Sequence, residues 1–348
     1  MDVQRWIRTT CILLSTTLCL WLLYVAKAVF MPLALAGMLA IVFTPLCRWL
    51  ERRGLHVVLA AICCGLVFAC LMGGILLLIG WHVGKITSDL NDIRLHFGDF
   101  LDKLHVLAQR WGMSMPRDGV NLLDTATVGR VTATLLSVLI NLVLLLVYMI
   151  MLLTMRMHIR TFFLKLGRPG TNALLDRSVG IVRLYLYGML LIIGCLWIMY
   201  GVAFSLIGVR YALLFAILCG ILELIPFVGN ITGNTLTCIM AFTQGGGTPM
   251  VLEIIGAYLV IQGIQFYIIS PLVMRHQVNI HPLFTIVVLI AGDLLWGIPG
   301  MILAIPALGI VKILFDQSED FKALGFLLGK SPKPGRQTPS RRRPSSVR

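Results

Sequence analysis

The sequence predicts an all-α, polytopic membrane helical bundle. Of its 348 residues, 58% are hydrophobic and only 13% are charged, whereas soluble domains carry about 25% charged residues. Apolar runs of about 20 residues, the length that spans a bilayer as a helix, recur along the chain. Two further runs are interrupted by Ile-Pro close to an acidic residue. We therefore expect about eight spans, with two broken or re-entrant hairpins and an extracytoplasmic amphipathic helix.

The continuous spans are predicted first, from apolar length alone. They cover residues 9–26, 28–47, 57–81, 135–155, 184–207 and 249–269. Only Lys27 separates the first two runs, which indicates a tight helical hairpin at the start of the chain.

The two interrupted runs cover residues 211–242 and 283–315, with breaks expected near 226–234 and 296–300. Each half has about 15 residues, or roughly 22 Å of helix, which is shorter than the hydrocarbon core of about 30 Å. Each run is therefore a re-entrant hairpin, two short tilted spans or one kinked span. Broken backbone at membrane depth is tolerated where it is packed in protein or lines a wet cavity, and paired interruptions indicate a transport site.

The distribution of Lys and Arg orients the spans, because cytoplasmic loops carry an excess of these residues. Positive residues precede the first span and follow the second and fourth: Arg5, Arg8, Arg48, Arg52, Arg53, Arg156, Arg160, Lys165 and Arg168. The N- and C-termini are therefore predicted in the cytoplasm. In this topology the two broken hairpins enter from opposite faces, with their tips near the middle of the membrane.

Four parts of the chain are predicted: N-terminal spans (1–81), an extracytoplasmic amphipathic segment (82–134), a transport core with interrupted helices (135–315) and a basic cytoplasmic tail (316–348). In the second part, apolar residues from 86 to 111 recur every three or four positions, as on a one-sided helix. The tail is expected to be disordered from about residue 329, because residues 329–348 contain seven basic residues and four prolines but little apolar mass. We expect the tail to bind anionic lipid rather than nucleic acid.

Glu223 is the strongest candidate for a substrate- or ion-binding residue, because a carboxylate is rare in an apolar, membrane-embedded run. Pro226 cannot donate a backbone hydrogen bond and frees a carbonyl near residue 222. Gly229, Asn230 and Asn234 then add small and polar groups. Carboxylate, amide and carbonyl oxygens suit a hard cation or a polar solute. The alternative is a glutamate at the membrane interface that caps a helix end.

Two further residues are weaker candidates for the substrate or ion site. Asp293 precedes the second break. Three roles are open for it: it binds an ion or solute, it pairs with Lys312, or it stabilises the turn. Gln265 shares a helix face with Gln262, and such amides either contact substrate or hydrogen-bond across helices.

Enzyme motifs are not found in the chain, so we expect a protein without enzymatic activity. A phosphate-binding loop, a zinc-protease helix and a nucleophile elbow are all missing from the sequence. The nine cysteines lie in or beside apolar runs, without ligand spacing. No cofactor or metal is expected, and any transport is expected to use an ion gradient or no energy source.

Several segments together resemble the AI-2E (autoinducer-2 exporter, PerM-like) transporter family. The segments are Leu-Glu-Leu-Ile-Pro-Phe-Val-Gly at 222–229, Ser-Pro-Leu-Val-Met at 270–274, His-Pro-Leu at 281–283 and Gly-Ile-Pro-Gly-Met-Ile-Leu-Ala-Ile-Pro at 297–306. Thr-Pro-Leu at 44–46 also fits. The resemblance covers roughly residues 9–315 and is most specific over 211–306.

The resemblance implies a multi-pass transporter of the bacterial inner membrane that forms homo-oligomers. Some relatives are linked to export of autoinducer-2, and others to sodium(lithium)/proton antiport. Our first hypothesis is a secondary transporter that exports a small polar solute, such as a signalling molecule of the autoinducer-2 type, by alternating access. The alternatives are a sodium(lithium)/proton antiporter using the same residues and a non-transporting oligomeric membrane scaffold.

Overall fold

The computed structural model describes residues 2–88, 125–166, 171–224, 228–273, 280–318 and 321–329. Within these ranges the regular elements are helices, accompanied by an isolated antiparallel bridge between Ile280 and Gly329. The predicted all-α fold is therefore confirmed. The predicted amphipathic stripe (86–111) falls almost wholly outside the described residues, as do Pro226 and the tail beyond residue 329.

Twelve α-helices are labelled here in chain order, together with two π-helical turns, within the described ranges. They are α1 (Asp2–Val25), α2 (Lys27–Arg52), α3 (Val57–Ser88), α4 (Thr125–Leu166), α5 (Thr171–Ile207), α6 (Ala212–Leu222), α7 (Val228–Ala241), π1 (Phe242–Gly246), α8 (Gly247–Ile264), π2 (Gln265–Ile269), α9 (Ser270–Val273), α10 (Pro282–Trp296), α11 (Ile298–Gln317) and α12 (Lys322–Leu328).

The polytopic architecture is also confirmed. Six of the described helical segments are long and apolar enough to cross a membrane, and 13–25, 212–222 and 282–296 form shorter apolar helices. The six long segments are Lys27–Arg52, Val57–His82, Ser137–Leu166, Asn172–Ile207, Gly229–Val273 and Ile298–Gln317.

The N-terminal helices α2, α3 and α4 pack around one apolar cluster. Its buried positions include the small residues Ala36, Ala40, Ala60 and Ala61. Small residues let membrane helices approach closely, and this packing replaces the hydrophobic effect as the driving force between helices.

A second apolar cluster forms where α5, α6, α7 and α8 meet. Tyr200, Leu196 and Phe204 of α5 are fully buried in it, as is Ile254 of α8. This cluster forms the apolar surroundings of the Tyr200 hydroxyl.

The first interrupted run is a hairpin whose two ends lie together. The Gln244 side chain accepts a hydrogen bond of 2.5 Å from the Arg210 amide and donates one of 3.1 Å to the Gly208 carbonyl. The start of α6 and the end of α7 therefore lie at the same face of the bundle. The 11 residues of α6 extend only about 16 Å, so α6 ends inside the bundle.

The position of this break was predicted only in part. The helix already ends at Leu222 and resumes at Val228, whereas the break was expected near 226–234. Residues 229–234 are helical because their small and polar side chains have partners in that conformation. Gly233 packs against Cys219 of α6, and the Asn234 amide donates to the Asn230 carbonyl.

The second break was placed correctly, at Gly297 between α10 and α11. Gly297 has φ +65° and ψ −144°, a backbone conformation that is essentially restricted to glycine. Gly292 and Gly300 bring the two helices into backbone contact, since a Cβ on Gly300 would lie 1.9 Å from the Gly292 carbonyl oxygen. With 20 residues, α11 is longer than the expected half-helix and is itself long enough to span the membrane.

Candidate functional site

Glu223 lies at the C-terminal end of α6, where the helix stops, and it is half-buried. Its carboxylate accepts a hydrogen bond of 2.7 Å from the side-chain amide of Gln265. Gln265 is buried and is the first residue of π2. Single π-helical turns inside α-helices occur frequently at functional sites, and this one lies beside the carboxylate.

Tyr200 of α5 is the centre of a second group of polar side chains. Its hydroxyl donates to Asn230 Oδ1 at 3.4 Å and accepts from Asn234 Nδ2 at 3.4 Å and from Gln262 Nε2 at 3.3 Å. One phenol thus links α5, α7 and α8.

The two groups adjoin each other. Glu223 lies close enough to Tyr200 to interact with it electrostatically. Gln265, the first residue of π2, follows Gln262 of α8 by three positions, about one helical turn. We call the six residues together the Glu223 cluster: Tyr200, Glu223, Asn230, Asn234, Gln262 and Gln265.

Two buried oxygens of the Glu223 cluster accept no hydrogen bond from any described residue, namely Asn234 Oδ1 and Gln265 Oε1. Buried polar atoms in proteins nearly always have partners, and one without a partner needs an explanation. Together with the Glu223 carboxylate, these oxygens make the cluster rich in acceptors. Such a set can bind a hydroxyl-bearing solute, a proton or a hard cation.

Close packing of α7 on α6 fixes the position of the cluster. A Cβ on Gly229 would lie 1.6 Å from the Leu222 carbonyl oxygen, and one on Gly233 would lie 2.9 Å from the Cys219 sulfur. Only glycine allows this approach, which brings Asn230 and Asn234 beside the end of α6.

The structure brings together five of the seven residues predicted for the substrate or ion site. Four belong to the Glu223 cluster (Glu223, Asn230, Asn234 and Gln265), and Gly229 provides the helix contact. Pro226 lies outside the described residues, so its role stays a prediction.

Asp293 lies elsewhere in the fold. It is exposed near the end of α10, where its backbone carbonyl accepts a hydrogen bond of 2.7 Å from the Gly297 amide. Lys312, its suggested partner, instead pairs with Asp316 at 2.7 Å. A role of Asp293 in binding stays a prediction.

Tyr200 was missed by the sequence analysis, and Gln262 was treated only as one of two amides on a helix face. A usable signal existed, because a buried tyrosine hydroxyl normally finds a hydrogen-bond partner. Tyr200 lies in the long apolar run 184–207. Sequence could not identify its partners, since they come from helices that follow 30 to 62 positions later.

An all-α bundle with interrupted helices and a buried acceptor-rich cluster is typical of polytopic membrane transporters. A sequence profile described as "AI-2E family transporter" matches residues 11–320, and the chain belongs to that family. This confirms the family resemblance found in the sequence.

Curated relatives agree with this assignment. They include "Putative transport protein YrrI" of Bacillus subtilis, which is 24% identical over 84% of this chain and 87% of the relative. "Putative transport protein MT0215" of Mycobacterium tuberculosis is 25% identical over 92% of this chain and 89% of the relative. "Putative transport protein YhhT" of Escherichia coli is 24% identical over 90% of both chains. Family and relatives support a transport function and a multi-pass membrane location.

Proposed function

We propose that this protein is a secondary transporter that exports a small polar solute by alternating access around the Glu223 cluster. Glu223 is the binding or coupling carboxylate in this proposal. Signalling molecules of the autoinducer-2 type belong to the solute class, because their hydroxyl groups can donate to the acceptors of the cluster. The membrane is the bacterial inner membrane, with both termini in the cytoplasm.

The observation that carries the proposal is the pairing of the Glu223 carboxylate with Gln265 beside two buried oxygens without partners. Polar and ionisable groups inside a membrane protein mark substrate and ion pathways, because their desolvation is costly. A purely structural cluster would instead be expected to satisfy its own acceptors.

The helix breaks supply a route for alternating access. Interrupted helices at the centre of transporters place backbone carbonyls and helix ends at the substrate, while one part of the bundle rocks against another. Here α6 ends at the carboxylate, and α8 changes to a π-helical turn at the amide that binds it. A shift of either helix would separate the Glu223–Gln265 pair and expose the cluster to one face.

Sodium(lithium)/proton antiport is a second candidate that uses the same residues. Its support is the donor set itself, because carboxylate and amide oxygens are preferred ligands of hard cations. A carboxylate that binds a proton and a cation in turn would couple their opposite movements.

A proteoliposome assay separates these candidates. The purified full-length protein is reconstituted into vesicles for two measurements. In the first, vesicles that contain a pH dye receive pulses of sodium or lithium, and the internal pH is followed. In the second, vesicles are loaded with labelled hydroxyl-bearing solutes, and solute efflux is followed. Wild type is compared with Glu223→Gln, and Glu253→Gln serves as the matched control because Glu253 is exposed on α8.

Each result has a defined meaning. Solute efflux that Glu223→Gln abolishes and Glu253→Gln retains supports the exporter. A cation-triggered pH change with the same mutant pattern supports the antiporter. If neither flux depends on Glu223, the transport role of the cluster is wrong. A scaffold that works through its outer segment (86–111) and its oligomer contacts then becomes the better account.

A further inference from the structure

A cavity of about 500 Å³ lies between α2, α4 and α5, at the end of the bundle where α2 finishes and α4 carries its arginines. A smaller cavity of about 320 Å³ adjoins it and shares Thr44, Arg48 and Arg183 with it. Arg183 precedes Tyr200 by 17 positions on the same helix, or about 25 Å. The cavity is therefore separate from the Glu223 cluster.

Four arginines line the larger cavity, against a single acidic residue, Asp176. Two of the four arginines have carboxylate partners. Arg156 pairs with Glu51, and Arg160 pairs with Asp176 at 3.1 Å through side chains that are largely exposed. Exposed pairs of the second kind are weak and exchange readily.

The other two arginines, Arg48 and Arg183, have no carboxylate partner among the described residues. Arg183 is half-buried, and its Nε is a buried donor that has no acceptor among the described residues. The larger cavity therefore combines net positive charge with an unpaired guanidinium donor. Guanidinium groups bind phosphate through paired hydrogen bonds.

Apart from Thr44, the rest of the cavity wall is apolar. Its lining includes Gly37, Ala40 and Ile41 from α2, Leu152 from α4, and Val179 and Gly180 from α5. A cavity lined by arginines and by apolar side chains is complementary to an anion that carries a hydrocarbon chain. Basic pockets between membrane helices at the cytoplasmic side bind phospholipid headgroups, and the Lys/Arg distribution places this end there.

We propose that the cavity between α2, α4 and α5 binds an anionic phospholipid, with Arg48 and Arg183 on the phosphate and the acyl chain against Gly37, Leu152 and Gly180. Charge complementarity selects this occupant over a zwitterionic lipid. This site binds the lipid at a defined position between folded helices, whereas the basic tail is expected to contact lipid as a disordered segment.

Native mass spectrometry of the full-length protein tests this proposal. The delipidated protein is titrated with phosphatidylglycerol or phosphatidylcholine, and with inorganic phosphate as the soluble competitor. Arg183→Gln removes one of the two unpaired charges. Gly180→Leu fills the cavity without changing charge, because nothing lies within 4 Å of a Cβ at Gly180. Arg177→Gln is the matched control, since this exposed arginine of α5 does not line the cavity.

We expect wild type and Arg177→Gln to retain phosphatidylglycerol in preference to phosphatidylcholine. Arg183→Gln and Gly180→Leu should each weaken that retention by about tenfold. The first variant loses one charged hydrogen bond to the phosphate, and the second keeps the lipid from entering the cavity to form it. Equal weakening in Arg183→Gln and Arg177→Gln would overturn the site, because only overall charge would then matter. Unchanged retention in Gly180→Leu would also overturn it. Displacement of the lipid by inorganic phosphate at equal concentration would overturn the assignment to an amphiphile.

Discussion

The side-chain amide of Gln265 donates a hydrogen bond of 2.7 Å to the carboxylate of Glu223, across 42 positions of sequence. This bond joins the end of a short helix, α6, to the π-helical turn π2. Both partners occur where regular α-helix is interrupted, and interrupted helices in membrane proteins line functional cavities. A movement of either helix would therefore change the distance between Gln265 and the Glu223 carboxylate.

Replacing Gln265 with Leu should reduce transport at least about tenfold, because a charged hydrogen bond contributes about 1.5–3 kcal/mol. The measurement is the initial rate of flux in proteoliposomes. Phe266→Leu is the control, since Phe266 is the exposed neighbour of Gln265. Equal rates for Gln265→Leu and Phe266→Leu would show that the bond has no part in transport.

Tyr200→Phe should affect both stability and transport. The hydroxyl bonds to Asn230, Asn234 and Gln262, and hydrogen bonds between membrane helices average about 0.6 kcal/mol each. We expect a loss of about 1–2 kcal/mol in the free energy of unfolding, together with slower flux. Thermal unfolding in detergent and the proteoliposome assay measure the two effects.

The control for this change is Tyr187→Phe, which removes a single hydrogen bond of 2.6 Å from the Tyr187 hydroxyl to the Val42 carbonyl. It should cost less stability and leave flux unchanged. If Tyr200→Phe behaved like Tyr187→Phe in both assays, Tyr200 would not organise the Glu223 cluster.

Gly229→Ala should be strongly destabilising, because its Cβ would meet the Leu222 carbonyl oxygen at 1.6 Å. The helices α6 and α7 must then separate, and overpacking of this kind costs about 1–3 kcal/mol. The melting temperature of the purified protein checks this. Gly256→Ala is the matched control, since a Cβ at Gly256 has no neighbour within 4 Å, and an unchanged melting temperature is expected there. A similar loss at both positions would contradict the close contact of α6 and α7.

The second hairpin allows a parallel prediction. Gly300→Ala places a Cβ 1.9 Å from the Gly292 carbonyl oxygen, so α10 and α11 should separate at the break. We expect a lower melting temperature and increased protease cleavage near residue 297. Gly263→Ala, with no neighbour within 4 Å, should change neither. An unchanged melting temperature and unchanged protease cleavage for Gly300→Ala would argue against direct backbone contact in this hairpin.

The sequence was sufficient to predict the helical class, most of the continuous spans and the second break, whereas the predicted first span (9–26) contains only a shorter apolar helix, 13–25. Apolar length defines a span, and Gly297 followed by Ile298-Pro299 ends one helix and starts another. The first break was harder to place, because Asn and Gly at 229–234 are poor helix formers by intrinsic propensity. Contacts with Cys219 and Tyr200 hold them in a helix, and tertiary contacts of this kind leave no local pattern.

The candidate site was predictable in composition but not in its assembly. Glu223 stood out as a carboxylate in an apolar run, and amides near it were easy to select. Asp293 stood out for the same reason, yet it lies exposed on α10, a helix that packs on α11. Whether two such residues meet depends on how distant helices pack, and the periodicity of one segment contains no information on that.

The most direct test of the account is the accessibility of the Glu223 cluster from the two faces of the membrane. A single cysteine replaces Asn234 in a variant free of its nine native cysteines, and a membrane-impermeant thiol reagent is added to either side of oriented vesicles. Thr237→Cys is the control, because Thr237 is fully buried on the same helix. With alternating access around Glu223, Asn234→Cys reacts from both faces while Thr237→Cys does not, and transported solute or cation changes the ratio of the two rates. Absence of reaction from both faces at Asn234→Cys would show a sealed structural core and contradict alternating access around Glu223.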